Sequence, residues 1–306
     1  MITSHNLIKQ RVLIVGSNGM LGQKLCEFYA SKPSEIELLA ASAEDSSFIP
    51  GLEYLKIDLT KRESVKEVVY DFVPDLIVNA AAFTNVDQCE TQRELSWKIN
   101  VKGVEYLAEC SRILECRLIH ISSDYVFDGK NGPYQETDRP NPISYYGREK
   151  LAAENALRIS GAIYSIVRTN VLYGPVKNGR ADFVRWVYDS LKNAKPIRIV
   201  NDQYNNPTFL EDLVQGIHKI YSYNKDGIYH IGGAEVLHRY DFTLKIADFF
   251  QLDKSLITPI TTAELNQPAP RPLKSGLITL KAQSELNYKA TPIYETLVKM
   301  KKDLGL

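Results

Sequence analysis

The sequence has little of what marks a secreted, membrane-bound or nucleic-acid-binding protein. Only four of its 306 residues are cysteines, none in a C-x-x-C pair, so neither a disulfide framework nor a redox motif is indicated. No apolar run is long enough to cross a bilayer, and the N-terminal MITSHNLIKQ lacks the apolar core of a signal peptide. Lys plus Arg and Asp plus Glu both number 37, which leaves no basic surplus for nucleic acid. We therefore expect a cytoplasmic globular protein without a nucleic-acid or membrane partner.

Patterns that bind metal ions are also scarce. The five histidines form neither an H-E-x-x-H motif nor a cluster with cysteines. The cysteines are Cys26, Cys89, Cys110 and Cys116, and we expect buried, reduced thiols because free cysteine behaves as a small apolar residue. The sequence predicts no metal site.

A glycine-rich turn near the N-terminus is the first positive signal. Residues 12–15 are a short apolar run typical of a strand buried on both faces, and Gly16, Gly19 and Gly22 follow in G-x-x-G-x-x-G spacing before an apolar helical pattern. Strand, glycine turn and helix in this order predict a dinucleotide site, because the turn approaches a pyrophosphate closely and the helix N-terminus offers free N–H groups. A plain strand-to-helix turn is the alternative.

Strands and helices alternate through the first half of the chain. Further strands are predicted at 36–41, 54–58, 75–79, 117–121 and 163–168. The alternation predicts an α/β fold with a doubly wound parallel (Rossmann) sheet, so that residues 1–170 form an NAD(P)-binding domain. The looser pattern of 171–306 predicts a smaller α/β region that mainly binds substrate, with about 197–223 packing back on the Rossmann sheet.

Three helix predictions bear on the site. Thr60 is a plausible N-cap for a helix over 60–71, with Glu63 three residues further on, and 90–115 looks like one long helix. Ser144 is a good N-cap for the helix that carries Tyr146 and Lys150.

Polar or small residues follow the strands and should share one edge of the sheet. They are Gly16, Asp58, Asn79 and Ser122–Ser123, and ligands of parallel sheets bind beyond the carboxyl ends of the strands. The alanines at 80–82 would let a cofactor lie against their strand end, although simple close packing explains them equally well.

The end of the second strand bears on the choice of dinucleotide. An acidic residue there binds the adenosine ribose of NAD. Ala41 and Ser42 occupy that place, with Glu44 and Asp45 slightly later, so the carboxylate is missing or displaced. This favours NADPH as the cofactor, with NADH as the alternative.

Tyr146 and Lys150 are spaced i, i+4 and share one helix face, and Ser123 ends the preceding strand. A phenol has an ordinary pKa of about 10, and a nearby ammonium together with an oxidised nicotinamide would lower it. The phenol could then protonate a carbonyl oxygen that receives hydride, while the serine hydroxyl holds that oxygen. An isolated Y-x-x-x-K is usually a surface pair, but this copy follows the dinucleotide turn and two polar strand ends in order.

These motifs together resemble the extended short-chain dehydrogenase/reductase family over essentially the whole chain. The matching stretches are GSNGMLG (16–22), DL (58–59), NAAA (79–82), Asn100, ISSDYVFDG (121–129) and YYGREK (145–150). Within that family the chain is most similar to the dTDP-4-dehydrorhamnose reductases. That similarity rests on SDYVFDG with YQETD (134–138), NDQYNNPT (201–208) and RPLKSGL (271–277).

The resemblance implies three sets of site residues. The catalytic set is Ser123, Tyr146 and Lys150. The cofactor-binding set is Gly16, Ser17, Asn18, Gly19, Met20, Leu21, Gly22, Ser42, Asp58, Leu59, Asn79, Ala80, Ala81, Asn100, Tyr146 and Lys150. The substrate-binding set, for a nucleotide sugar, is Asp124, Tyr125, Asp202, Gln203, Thr208 and Arg271. The implied reaction reduces the C4 ketone of dTDP-4-dehydro-L-rhamnose with NADPH to give dTDP-L-rhamnose.

Two departures from the family pattern bear on the substrate. Ser123 stands where the reductases usually carry threonine, which keeps the hydroxyl, whereas Val171 stands where a tryptophan near the sugar is common. Some bacterial members bind Mg²⁺ between subunits through acidic C-terminal residues that do not map onto this sequence. The oligomeric state is left open, with a homodimer among the options.

Two other functions compete with the reductase. A dehydratase on this fold typically needs an Asp-Glu pair, and Asp124 is followed by Tyr125, but a 4-epimerase or another 4-keto reductase is harder to exclude. The regulatory subunit of methionine adenosyltransferase also resembles these reductases and acts as a non-catalytic binding partner. The intact Ser123, Tyr146 and Lys150 set favours catalysis.

Overall fold

Seven parallel strands form a central sheet. The structure is a computed structural model that describes residues 9–176, 178–179 and 181–305. The strands of this sheet are β1 (Gln10–Val15), β2 (Ile36–Ser42), β3 (Tyr54–Lys56), β4 (Leu76–Asn79), β5 (Arg117–Ser123), β6 (Ile163–Thr169) and β11 (Gly227–His230). Their spatial order is β3-β2-β1-β4-β5-β6-β11, so the predicted doubly wound parallel sheet is confirmed.

The first strand lies where the order of the sheet reverses. Val15 at the end of β1 stands opposite Ala41 of β2 on one side and Asn79 of β4 on the other. Its apolar residues 12–15 are fully buried, as expected for a strand covered on both faces. A crevice therefore opens beyond the carboxyl end of β1, which is where doubly wound sheets bind their ligands.

Helices cover both faces of the sheet and also build a second, smaller layer. They are α1 (Met20–Ala30), α2 (Arg62–Phe72), α3 (Val86–Thr91), α4 (Arg93–Trp97), α5 (Gly103–Leu114), α6 (Tyr145–Ile159), α7 (Phe183–Lys192), α8 (Leu210–Ser222), α9 (Arg239–Phe250), α10 (Thr262–Leu265), α11 (Leu280–Leu286) and α12 (Ile293–Leu304). Helices α1, α8 and α11 share one apolar core with the sheet, and α2, α5 and α6 share another on the opposite face.

The chain after β6 contributes to both layers. Helix α8 packs against α1 on the central sheet, and β11 extends that sheet beside β6. The other strands of this part form three two-stranded pairs: β8 (Ile197–Val200) with β13 (Ile257–Ile260), β9 (Tyr204–Asn205) with β12 (Leu237–His238), and β10 (Thr208–Phe209) with β7 (Leu172–Tyr173). Within 197–223, only the helix therefore lies on the central sheet. The division into a cofactor part to residue 170 and a substrate part after it stays a prediction.

Two of the three helix predictions need correction. Helix α2 begins at Arg62 with Lys61 as an N-cap that makes no side-chain bond, because Thr60 donates its hydroxyl to Asp58 instead. The predicted long helix over 90–115 is interrupted at Gln92 and by a π-helical turn, Lys98–Lys102. The Ser144 cap of α6 is confirmed, since its hydroxyl accepts the Gly147 N–H at 3.2 Å.

Within the described part of the chain, no helix is long and apolar enough to cross a membrane. The N-terminal stretch that bears on a signal peptide lies largely in residues 1–8, outside the described residues.

A fully buried ion pair joins α6 to the sheet. Arg168 of β6 donates Nη2 to Glu154 Oε2 at 2.7 Å and Nε to Oε1 at 2.8 Å, with both side chains 0% exposed. The Ser122 hydroxyl of β5 donates to the same carboxylate at 2.6 Å. The two opposite charges compensate each other in a region that water does not reach. Removing one side chain therefore leaves the other buried without its nearest opposite charge.

We predict that Arg168→Met destabilises the protein by about 3 kcal/mol, because it leaves the buried Glu154 carboxylate with only the Ser122 hydroxyl and the more distant Arg158, 3.8 Å away. The matched control is Arg185→Met, which breaks the more exposed i, i+4 pair with Asp189 and should cost about 0.5 kcal/mol or less. Urea unfolding measures both changes. Equal losses from the two variants would contradict the importance of the buried pair.

Candidate active site

A cavity of about 640 Å³ lies beyond the carboxyl ends of the central strands. This is within the size range of small-molecule and cofactor sites. From the predicted sets its lining includes Gly16, Gly19, Met20, Leu21, Ser42, Asp58, Leu59, Ala80, Ala81, Ser123, Asp124, Tyr125, Tyr146 and Lys150. The ends of five strands, β1 to β5, and one face of α6 therefore meet at one site.

The glycine turn forms one wall of the cavity. Gly16 has φ +84°, and a Cβ there would lie 2.5 Å from the Ala81 backbone nitrogen. At Gly22 a Cβ would lie 2.1 Å from the Gly16 carbonyl oxygen, so this glycine permits the close packing of helix on strand. Gly19 precedes α1 as an N-cap without a side-chain bond, which leaves the first N–H groups of the helix free for an anion. The turn fits a dinucleotide pyrophosphate.

Several predicted cofactor residues support the wall from behind rather than line it. Asn79 donates Nδ2 to His120 Nδ1 at 3.2 Å and accepts the Ala81 N–H. Asn100, in the π-helical turn, accepts the Phe83 N–H at 2.8 Å and so fixes the loop after β4. Ser17 and Gly22 are buried behind the turn.

The carboxylate displaced from the end of β2 does reach the cavity. Glu44 lines it two residues after β2 ends, and its Oε2 accepts the Asn18 side-chain amide at 3.1 Å. Asn18 itself is absent from the lining and also accepts the Phe48 N–H at 2.8 Å. A carboxylate at this place favours the ribose diol of NAD, so Glu44 removes the argument for NADPH that rested on a missing carboxylate at the end of β2.

The three predicted catalytic side chains meet in the same cavity. The Ser123 hydroxyl donates to Asp124 Oδ1 at 2.9 Å and accepts the Tyr125 N–H at 3.2 Å. Lys150 donates Nζ to the Ile121 carbonyl at 2.9 Å, and this nitrogen lies 5.8 Å from the centroid of the Tyr146 ring. A serine hydroxyl, a phenol and an amine are therefore grouped at one wall.

Burial is the largest cause of the pKa shifts of Tyr146 and Lys150. Burial raises the pKa of the Tyr146 phenol, with the Asp124 and Tyr125 charges adding to the rise, and the hydrogen bond with Ser123 opposes it only weakly. Burial acts in this direction because it removes the phenol from water, which disfavours the phenolate. The lowering expected from Lys150 together with an oxidised nicotinamide stays a prediction. Burial lowers the pKa of Lys150 to about 8. At neutral pH the phenol keeps its proton, the form needed to donate it.

Two of the six predicted substrate residues line the cavity. They are Asp124 and Tyr125, and the Tyr125 ring lies 5.6 Å from the Tyr146 ring in an edge-to-face arrangement. The second oxygen of the Asp124 carboxylate accepts the Ser275 hydroxyl at 2.5 Å, which joins the RPLKSGL stretch to the site.

The other four make structural contacts away from the cavity lining. Asp202 accepts the Thr262 N–H at the start of α10, and Gln203 donates to the Thr262 hydroxyl at 3.0 Å. Thr208 donates its hydroxyl to Asn170 Oδ1 at 3.3 Å, and Arg271 pairs with Asp87 at 3.0 Å.

Many lining residues were missing from the predicted sets, and Arg239 and Val171 are the most informative of them. Arg239 begins α9 in a stretch without any recognisable motif, so the sequence offered no signal for it. Val171 follows β6 and lines the cavity with φ +35°, a conformation rarely adopted by a β-branched residue. Such backbone strain concentrates at functional sites.

Metal ligands do not cluster here. Among residues 9–176, 178–179 and 181–305, no group of three or more His, Cys, Asp or Glu side chains could hold a metal ion.

The doubly wound sheet, the glycine turn and the Ser-Tyr-Lys group in one cavity define an NAD(P)-dependent oxidoreductase of the short-chain dehydrogenase/reductase type. Comparison with known proteins narrows the class. The family model of the RmlD substrate binding domain matches residues 10–305, and the chain belongs to this family.

Relatives in this family have more than one role. The chain is 34% identical to the dTDP-4-dehydrorhamnose reductase of Aggregatibacter actinomycetemcomitans, over 89% of this chain and 92% of that protein. It is 32% identical to methionine adenosyltransferase 2 subunit beta of Xenopus tropicalis, over 86% and 78% respectively.

A solved structure extends the comparison. The dTDP-4-dehydrorhamnose reductase of Bacillus anthracis, in complex with NADP, superposes with a TM-score of 0.85 at 30% identity and covers 97% of this chain and all of that one. The resemblance deduced from the motifs is confirmed, as is the expectation of an NAD(P)-dependent oxidoreductase.

We predict that Asp124→Asn makes stability less sensitive to pH. Burial raises the pKa of Asp124 to about 6, above its ordinary value of about 3.9, so the folded protein holds this proton more tightly than the unfolded chain. The resulting stabilisation is complete below pH 4 and is lost as pH rises to about 6. Between pH 4 and 7 the wild type should lose roughly 2–3 kcal/mol relative to the variant, measured by urea unfolding at each pH.

Asp128→Asn is the control for this prediction. Hydrogen bonds from the Lys130 N–H and Tyr134 lower the pKa of Asp128, so its stabilising effect is present at neutral pH and lost as pH falls. As pH rises, wild type should therefore gain stability relative to this variant, which is the opposite of the trend for Asp124→Asn. The same pH trend in both variants would contradict the assignment for Asp124.

Proposed function

We propose that this protein uses NADPH to reduce the C4 ketone of dTDP-4-dehydro-L-rhamnose to the alcohol of dTDP-L-rhamnose. The observation that carries the proposal is the grouping of Ser123, Tyr146 and Lys150 in one cavity with the glycine turn. Residues up to 170 hold the dinucleotide and the later part of the chain recognises the nucleotide sugar. The similarity to dTDP-4-dehydrorhamnose reductases supports the choice of sugar.

The cofactor would lie between the glycine turn and the reacting group. The free N–H groups at the start of α1 would hold its pyrophosphate, and Ala80 and Ala81 would leave room for it against the end of β4. When bound, the dinucleotide supplies the hydride.

The chain's own residues then complete the reduction. Ser123 exchanges its hydrogen bond to Asp124 for one to the ketone oxygen and holds that oxygen in place. As the carbonyl carbon gains hydride, Tyr146 transfers its Oη proton to the oxygen, which gives the alcohol. The Lys150 ammonium stabilises the phenolate left behind, and solvent returns the proton to Tyr146.

We predict that Tyr146→Phe lowers kcat by about 10²–10⁴-fold, because the proton donor is lost while the ring and its packing remain. The assay follows oxidation of NADPH, and of NADH in parallel, with dTDP-4-dehydro-L-rhamnose generated in situ.

Tyr145→Phe provides the control for this variant. Tyr145 is its neighbour on α6 but contacts Arg93, 4.9 Å from its ring centroid, rather than the cavity. It should keep full activity. If folded wild type reduced no 4-keto sugar but bound a methionine adenosyltransferase stably, the regulatory function would replace the proposed one.

We predict that kcat/KM falls as pH rises above about 8. Burial lowers the pKa of Lys150 to about 8, and loss of its proton removes the charge that stabilises the phenolate. In Lys150→Arg the guanidinium stays charged across this range, so the decline should move to higher pH even though overall activity drops. If kcat/KM of this variant still fell near pH 8, the decline would be caused by the titration of a group other than Lys150.

A further inference from the structure

Among the described residues, the Arg239 guanidinium forms no ion pair with a carboxylate. Its guanidinium lines the cavity and lies 5.2 Å above the centre of the Phe183 ring. Among the ion pairs and side-chain hydrogen bonds of the described residues, none involves this guanidinium. Its neighbour Arg271, by contrast, is neutralised by Asp87 at 3.0 Å.

The backbone around Arg239 holds it in place. The Arg239 N–H donates to the Gln203 carbonyl at 3.2 Å, which fixes the first residue of α9 against the NDQYNNPT stretch. Burial lowers the pKa of Arg239, partly offset by the Tyr125 and Asp124 charges, yet a guanidinium remains protonated. A cation at a cavity wall that forms no ion pair with a carboxylate keeps its N–H groups free to bind an anion.

Apart from two cationic side chains, the charged residues of the cavity lining are acidic, which disfavours the binding of an anion. Glu44, Asp58 and Asp124 all line it, and in the described part of the chain only Lys150 and Arg239 supply positive side chains. Lys150 is occupied at the reacting group. An anionic substrate that enters this cavity therefore depends on Arg239 for compensation.

The position of Arg239 in the fold separates it from the cofactor's pyrophosphate. The glycine turn follows β1, whereas Ser123 ends β5, two strands away across β4. Arg239 begins α9 and is close enough to Asp124 and Tyr125 to affect the pKa of both side chains. It therefore belongs to the part of the cavity at the end of β5, not to the glycine turn.

We propose that Arg239 binds the diphosphate of the nucleotide-sugar substrate and makes this protein selective for nucleoside diphosphate over unphosphorylated ligands. This inference rests on the proposed function, since it assumes a nucleotide sugar in the cavity. The planar guanidinium donates two N–H groups to phosphate oxygens, and the Phe183 ring supports its other face.

The test measures binding of thymidine 5′-diphosphate, thymidine and NADPH by calorimetry to wild type, Arg239→Gln, Arg239→Lys and Arg198→Gln. Arg198 is an exposed arginine on β8 and serves as the matched control. Arg239→Gln should weaken the diphosphate by about 10–100-fold, as expected for a charge-assisted bidentate contact. Thymidine and NADPH should bind as in wild type, and Arg239→Lys should recover part of the loss. For the keto sugar, KM should rise far more than kcat falls.

Two results would overturn the inference. One is a diphosphate affinity that Arg239→Gln leaves unchanged, and the other is an equal loss of NADPH affinity, which would assign the guanidinium to the cofactor. Circular dichroism establishes that each variant is folded, and Arg239→Lys keeps the test valid if the glutamine variant is not. If diphosphate binding depends on Arg239 but no keto sugar is reduced, the inference stands and the proposed reaction fails.

Discussion

The buried ion pair of Glu154 and Arg168 is the contact on which the geometry of the active site depends. Glu154 lies one helical turn after Lys150 and two after Tyr146, so all three project from the same face of α6. Because Ser122 donates to this carboxylate from β5, the pair joins the helix to the two strands beside it. The Ser123 hydroxyl at the end of β5 and the Tyr146 phenol on α6 are then held at a fixed separation. The proposed proton transfer requires such fixed positions.

The cavity supplies positive charge by two different means. At the glycine turn it comes from the unbonded N–H groups at the start of α1, which need no side chain and so allow close backbone approach. Near Asp124 and Tyr125 it comes from the Arg239 guanidinium. Between them, burial keeps the Tyr146 phenol protonated and lowers the pKa of Lys150. The same exclusion of water thus favours proton donation and strengthens the hold on anions.

Much of the fold could be predicted because its signals are local. A run of buried β-branched residues, a glycine turn and a helical repeat each occupy a few consecutive positions, and the parallel sheet follows from their alternation. The failures came where one local signal competed with another. The position of Thr60 predicts a helix N-cap, yet its hydroxyl donates a hydrogen bond to Asp58. The helical pattern of 90–115 is continuous in the sequence and gives no sign of the break at Gln92 or of the π-helical turn.

The sequence by itself determined the class of the sheet, the glycine turn and the Tyr146 and Lys150 pair on α6, since each is encoded by residues at fixed short spacings. Only the tertiary structure decided which polar residues reach the cavity. Asp202 and Arg271 bond to Thr262 and Asp87 instead, while Arg239 enters without any motif. The physical reason is that these contacts join residues far apart in the chain. Which side chains pair is decided by packing and charge compensation in the folded protein, and the spacing of neighbouring residues carries no information about it.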